Sequence, residues 1–138
     1  MNKQQLEAKN FLMGARFIDL CIQSKIHQIQ DLNDLATQAS AVLSDMPGSP
    51  NRNIHKLEDT IVKIIDLQNE ISEDINDLIA VKKKINASIN ELDRDERVVL
   101  SERYLKHSKW EDISQMCDCS MRQVFRIHDE ALKKIRIF

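Results

Sequence analysis

Glycine and proline are nearly missing from this 138-residue chain, with two of each. A β-rich fold needs such residues at every hairpin, so their scarcity argues against sheets. Aromatics are few, and no apolar stretch approaches the length of a membrane span. The opening MNKQQLEAKN is followed by no run resembling a signal peptide, which predicts a cytoplasmic protein with no membrane partner. Three cysteines, an odd number, are then read as reduced thiols. Excess positive charge is also lacking. A net charge of −2 gives no whole-molecule signal for nucleic acid, so any such signal must be local.

Leu and Ile at helical spacing, with 30% charged residues, predict an all-α protein. Both prolines fall in MPGSPNRN, which marks 46–53 as a linker between two long helical patterns. After it, Leu57, Ile61, Ile64, Gln68, Ile71, Ile75, Leu78, Lys82, Ile85, Ile89 and Leu92 alternate at spacings of four and three. That 3.5-residue period reads as a coiled-coil seam, with Gln68 and Lys82 available to fix register. A helix over Ile54–Leu92 would be roughly 58 Å long.

Before the linker, Ala15, Ile18, Ile22, Lys25, Ile29, Leu32, Ala36, Ala39 and Leu43 keep the same rhythm. Gly14 weakens the helix near its start, so the first dozen residues carry the weaker helix signal. Residues 1–92 are expected to form a long antiparallel hairpin. A single hairpin has a thin core, which predicts a homodimer or higher homo-oligomer through residues 15–92.

Residues 93–138 are built differently and hold four of the six aromatics: Tyr104, Trp110, Phe125 and Phe138. Asp93 with Glu96, Ser108 with Glu111, and Ser120 with Gln123 each have capping-box spacing. They predict three short helices, about Arg94–Lys106, Lys109–Met116 and Met121–Ile135. The last two, joined by the CDC turn, have the layout of a helix-turn-helix. Ile113, Cys117, Cys119, Val124 and Ile127 take its apolar positions. Ser114 is small where the helices approach, and Asp118 sits where a left-handed conformation is often needed.

Two cysteines one residue apart invite a zinc reading that would recruit His107 or His128. C-x-C without a second cysteine pair is a poor ligand pattern, and small buried volume explains both thiols. No metal, cofactor or enzyme signature is expected: the chain has no Gly-rich phosphate loop and no recognisable nucleophile–base motif. His128 reads as structural rather than catalytic, and the VKKK run at Val81–Lys84 as a solvated face.

The stretch LDRDERVVLSERYLKHSKWEDISQMCDCSMRQVFRIHDEALKKI resembles region 4 of sigma-70-class sigma factors, the part that reads the −35 promoter element. The likeness covers the last third of the chain. A helical hairpin followed by such a domain is similar to phage and prophage regulators of late genes of the ArpU and RinA types. No region-2-like segment is seen, so a complete sigma factor is not expected.

The resemblance implies that Met121, Arg122, Phe125 and Arg126 face the major groove of double-stranded DNA, with Gln123 close by and Ser120 capping the helix. Arg122 and Arg126 suit bidentate contacts with guanine, and Gln123 suits adenine or phosphate. Met121 and Phe125 depart from the polar or basic residues usual there. Phe125 either touches a thymine methyl or packs inward. Lys109 and Lys133 are candidate phosphate contacts, although Lys133, Lys134 and Arg136 also suit a helix C-terminus.

From Cys119 onward five basic residues face two acidic ones, whereas residues 1–92 carry 10 basic and 13 acidic. The expected function is a sequence-specific DNA-binding transcription regulator of phage origin, in a bacterial host, with host RNA polymerase as a further partner. The alternatives are a DNA-packaging adaptor of the small-terminase kind, and an interaction module that contacts RNA polymerase without DNA.

Overall fold

The computed structural model describes residues 1–45 and 50–138, with side chains described outside 41–53. Among these residues the chain is all-α. Helix α1 (Lys3–Asp45) and helix α2 (Pro50–Ile89) form a long antiparallel pair. A small bundle follows, made of α3 (Arg94–Leu100), a π-helical turn (Ser101–Leu105), α4 (Trp110–Cys117) and α5 (Met121–Lys134).

Of the expected linker, Met46–Ser49 lies outside the described residues. Helix α2 begins four residues before the expected Ile54, with Pro50 as its first residue. A missing N–H costs nothing there, and the fixed φ of proline already suits a helix.

The start of α1 is firmer than Gly14 suggested. Asn2 Oδ1 accepts from the Gln5 amide at 2.8 Å, and Gln5 Oε1 accepts from the Asn2 amide at 3.0 Å. That reciprocal pair is a capping box, with Asn in place of the usual Ser or Thr. Only one of the three boxes read from the sequence has its N-cap bond: Ser120 Oγ accepts from the Gln123 amide at 3.1 Å. Asp93 caps nothing through its side chain and instead meets Lys134 at 3.4 Å. Ser108 donates its hydroxyl to Glu102 at 3.1 Å, and Lys109 takes the N-cap position of α4. A distant partner engages the side chain in place of capping at Asp93, and a neighbour six residues back does so at Ser108.

The chain divides into two compact units, and each long helix contributes to both. One comprises Leu20–Asn76; the other joins Met1–Asp19 to Asp77–Phe138. The sequence pattern marks a different cut, after residue 92. In the first unit the covered face of α1 is the one expected: Ile22, Lys25, Ile29, Leu32, Ala36 and Ala39 are buried or half-buried. Leu43 falls among the side chains left undescribed.

Three of the eleven expected seam positions differ from the sequence reading, and Lys82 is half-buried as expected. Leu57, Ile64 and Ile71 are half-buried as expected, as are Leu78 and Leu92 further along, and Ile85 and Ile89 are buried. Ile61, Gln68 and Ile75 are exposed, and Thr60, Leu67 and Asp74 are covered in their place. Successive residues on a helix are 100° apart, so the intermediate row of a heptad can fall on either neighbour. In this unit Lys25 settles the choice. It lies on the covered face of α1 and needs a carboxylate opposite, and Asp74 supplies one at 2.6 Å. The hydrogen bond to Asp74 raises the Lys25 pKa above its usual value. In this unit the Lys25–Asp74 pair, rather than the exposed Gln68, is the polar layer of the seam.

The second unit holds two apolar clusters. The larger joins Ala8, Leu12 and Ala15 of α1 to Ile85 and Ile89 of α2, and both to Leu100, Tyr104, Ala131, Leu132 and Ile135. The smaller is built on Val99, Ile113 and Val124. Within this unit α1 and α2 run close together. A methyl group at Gly14 would sit 3.6 Å from Val81 Cγ1, an ordinary contact, so the glycine is not demanded by space.

Ser88 is fully buried, and its hydroxyl has no hydrogen-bond partner among the described residues. A hydroxyl buried without a partner costs about 1–3 kcal/mol. Ser88→Ala is therefore expected to stabilise the protein by roughly 1 kcal/mol, allowing for partial relaxation. A lower urea midpoint for the variant would show that the hydroxyl is satisfied after all.

Candidate nucleic-acid interface

The α4–α5 pair is set by local chemistry. Ile113, fully buried, and Val124, from one helix each, meet Val99 of α3, and Cys117, Cys119 and Ile127 pack around them. Asp118 closes α4 in the left-handed region at φ 52°, ψ 43°, as its place in the turn predicts. Ser114 spans the turn by donating its hydroxyl to the Cys119 carbonyl. Burial pushes the Cys117 thiol up from its usual pKa, which suits a packing role over a nucleophilic one. Among the described residues no three His, Cys, Asp or Glu side chains gather as metal ligands would.

On α5, Val124, His128, Ala131 and Leu132 face inward. Arg122, Gln123, Phe125 and Arg126 are exposed at its N-terminal end, Met121 is half-buried, and Ser120 caps the helix. Lys109 is also exposed, at the start of α4. Phe125 keeps 41% of its surface exposed and makes an edge contact with Trp110, with ring centroids 5.0 Å apart. It partly packs and partly faces solvent.

The basic residues at the other end of α5 have partners. Lys134 contacts Glu96 at 3.0 Å, Arg136 meets Glu91 at 2.7 Å, and Lys133 reaches Glu130 at 3.4 Å. Glu96 is itself buried, so its carboxylate needs Lys134. Lys134 and Arg136 are thus committed to fastening the C-terminus to α3 and to the end of α2. The start of α1 adds to this seam: Gln4 and Gln5 donate side-chain amides to the Lys133 and Asp129 carbonyls at 3.2 and 3.0 Å.

The two flanks of α5 differ in charge. On one side a groove of about 240 Å³ is lined by Asp93, Asp95, Glu96, Glu130, Lys134 and Arg126. Arg126 therefore stands beside carboxylates, and Arg122 is not among the residues of that groove. On the Phe125 side, Trp110 borders a cleft of about 190 Å³ lined by Lys9, Met13, Arg16, Arg103, Tyr104 and His107. Sequence reasoning passed over Lys9, Arg16 and Arg103. Lys9 and Arg16 are seven residues apart, two helical turns on one face, which was a legible signal. The π-helical turn that carries Arg103 was not. There the Lys106 amide reaches the Ser101 carbonyl at 3.1 Å, five residues back, and His107 leaves the helix at φ 59°. Such widened turns are frequent at functional sites.

His128 lies at the centre of the bundle. Its Nε2 is 2.6 Å from the Tyr104 hydroxyl, its Nδ1 is 3.2 Å from Asp129 Oδ1, and Trp110 meets it edge-on. Burial holds its pKa below the usual 6.5, against the opposing pull of Asp129. Burial likewise pushes the Tyr104 phenol up to about 12. A neutral imidazole with its proton on Nδ1 satisfies both contacts, with Tyr104 donating to Nε2. Both ring nitrogens of His128 are thereby engaged by neighbouring side chains.

Among the described residues, fold and surface together define an all-helical protein: an antiparallel pair of long helices followed by a small C-terminal bundle with one charged, exposed helix end. The chain belongs to the family described as protein of unknown function (DUF1492), which matches it over residues 47–136. No curated protein and no solved structure matches it. No described helix is long and apolar enough to cross a membrane.

Proposed function

We propose that this protein is a sequence-specific double-stranded DNA-binding regulator of transcription, in which the N-terminal end of α5 enters the major groove. The observation that carries the reading is the exposure of Arg122, Gln123, Phe125 and Arg126 on the first turns of a capped helix. Val124 and His128 of the same turns are locked into the core. Side chains able to read base edges are thus held on a rigid support. The resemblance of residues 92–135 to sigma region 4 supports the same orientation, and the hairpin-plus-domain layout supports a phage-type regulator acting in the bacterial cytoplasm. The carboxylates beside Arg126 move the larger share of base reading to Arg122.

The exposed apolar row Ile61, Ile65 and Ile75 of α2, 45%, 49% and 43% exposed, supports self-association through the hairpin. This favours the regulator over a module that contacts RNA polymerase alone, since paired helix-turn-helix units read paired half-sites.

Selection of duplexes from a random pool by the full chain tests the proposal. A consensus should emerge, and Arg122→Ala should cost about 1–3 kcal/mol on it while scarcely changing a scrambled duplex. Lys109→Ala should weaken both duplexes alike and flatten the salt dependence. A parent protein that enriches no sequence, and whose variants bind like the parent, would sink the reading.

A further inference from the structure

We propose that the cleft formed by α1 and the π-helical turn is a phosphate site that grips the backbone of the duplex held by α5. It rests on the DNA-binding reading above and extends the footprint onto the first helix, which lies outside the region-4-like segment.

The charge balance of the cleft comes first. Lys9, Arg16 and Arg103 line one small cavity, and none of the three is in an ion pair among the described residues. In the same unit Lys106, Lys133, Lys134 and Arg136 each have a carboxylate within 3.4 Å, whereas Lys109, Arg122 and Arg126 of the proposed DNA face, like the cleft cations, are in no ion pair among the described residues. No carboxylate is among the described residues that line the cleft, and Asp19 meets one of them, His107, at 3.0 Å. Unneutralised cations around a cavity repel one another, and an entering anion relieves that repulsion.

Preorganisation comes next. Arg103 donates from Nη1 to the Ser108 carbonyl at 3.1 Å, and its guanidinium lies 4.5 Å above the Trp110 ring. Both contacts fix the planar fork while leaving other N–H groups free to donate, the arrangement that suits a phosphate oxygen pair. A volume of about 190 Å³ equals roughly six waters at ~30 Å³ each, enough for a phosphate group with part of its hydration. Tyr104 and Trp110 give the cleft rigid walls.

Position completes the case. Trp110 touches Arg103 on one side and Phe125 of α5 on the other, so the cleft adjoins the face proposed to read bases. The opposite flank of α5 is the acidic groove, which repels a phosphate strand. A duplex on α5 is therefore drawn towards Lys9 and Arg16.

Trp110 is the sole tryptophan and lines the cleft, so the emission comes from one side chain there. The test uses the full chain and the double variant Lys9→Gln/Arg16→Gln, with circular dichroism to confirm that both are folded. Titrations use the selected duplex, a scrambled duplex, and inorganic phosphate against chloride of equal ionic strength. The double variant should bind both duplexes about ten-fold more weakly, and its salt slope should flatten by about 0.9 for each phosphate no longer neutralised. If it binds both like the parent while Arg122→Ala loses the selected duplex, the cleft proposal is overturned and the DNA reading stands. If the parent binds no duplex, the DNA reading fails. In that case a Trp110 response to inorganic phosphate, absent from the double variant, keeps the anion site, and no response removes it too.

Discussion

Leu12→Ala should lower the stability of the whole C-terminal bundle by about 2–5 kcal/mol, although the two are more than eighty residues apart in sequence. Leu12 is fully buried, and the residues of its cluster include Leu100, Tyr104, Ala131, Leu132 and Ile135 of the bundle. Truncation would leave a cavity that the helices around it cannot close without shifting. Trp110 sits in the bundle and far from Leu12 in sequence, so a urea titration followed by its fluorescence reads the effect where it matters. If the Trp110 transition is unmoved while helix content changes, α1 is a passenger on the bundle. The same logic predicts that a fragment of residues 93–138 alone is much less stable than the full chain. It would lack the Ala8–Leu12–Ala15 face that covers its core.

Tyr104→Phe is expected to cost about 1–3 kcal/mol, because it strands a buried imidazole nitrogen while changing almost no volume. The pair also predicts how stability varies with pH. His128 has a folded pKa held below its unfolded value of 6.5 by burial. Between those two values the unfolded imidazole binds a proton that the folded one refuses. Stability is therefore complete above pH 6.5 and declines as pH falls from there towards the folded pKa. Tyr104 acts at the other end. Its folded pKa of about 12 exceeds the ordinary 10.0, so its contribution is intact below pH 10 and is lost as pH rises through 12. Urea midpoints from pH 7.5 down to 5 should fall in the parent and fall less in His128→Gln. Tyr104 is the sole tyrosine, so phenolate absorbance should show its midpoint near 12 in the folded protein. An acid limb of equal steepness in parent and His128→Gln would show that other groups carry it.

Sequence by itself determined the local terms. The period of Leu and Ile fixed two long helices and one full row of the α2 seam, at Leu57, Ile64, Ile71, Leu78 and Ile85. It also fixed the α4–α5 turn. A left-handed Asp118, a capping Ser120 and apolar Ile113 and Val124 follow from steric and hydrogen-bonding needs met within a few residues. The exposed end of α5 follows from the same pattern, since residues not needed by the core face outward.

Tertiary structure decided whatever required a competition between partners distant in the chain. Helix geometry allows Ile61 or Thr60, and Ile75 or Asp74, in the intermediate row, and α2 alone favours the isoleucines; Lys25 on the other helix makes Asp74 the better in its turn. Asp93 had the spacing to cap a helix, but its side chain meets Lys134, distant in the chain, and makes no cap bond. The basic cleft needed both causes at once. Lys9 and Arg16 share a helix face by periodicity, yet only the docking of α1 on the bundle sets them beside Arg103. Apolar burial drives that docking without regard to sign of charge, so what it brings together at the cleft is three cations rather than a neutral pair.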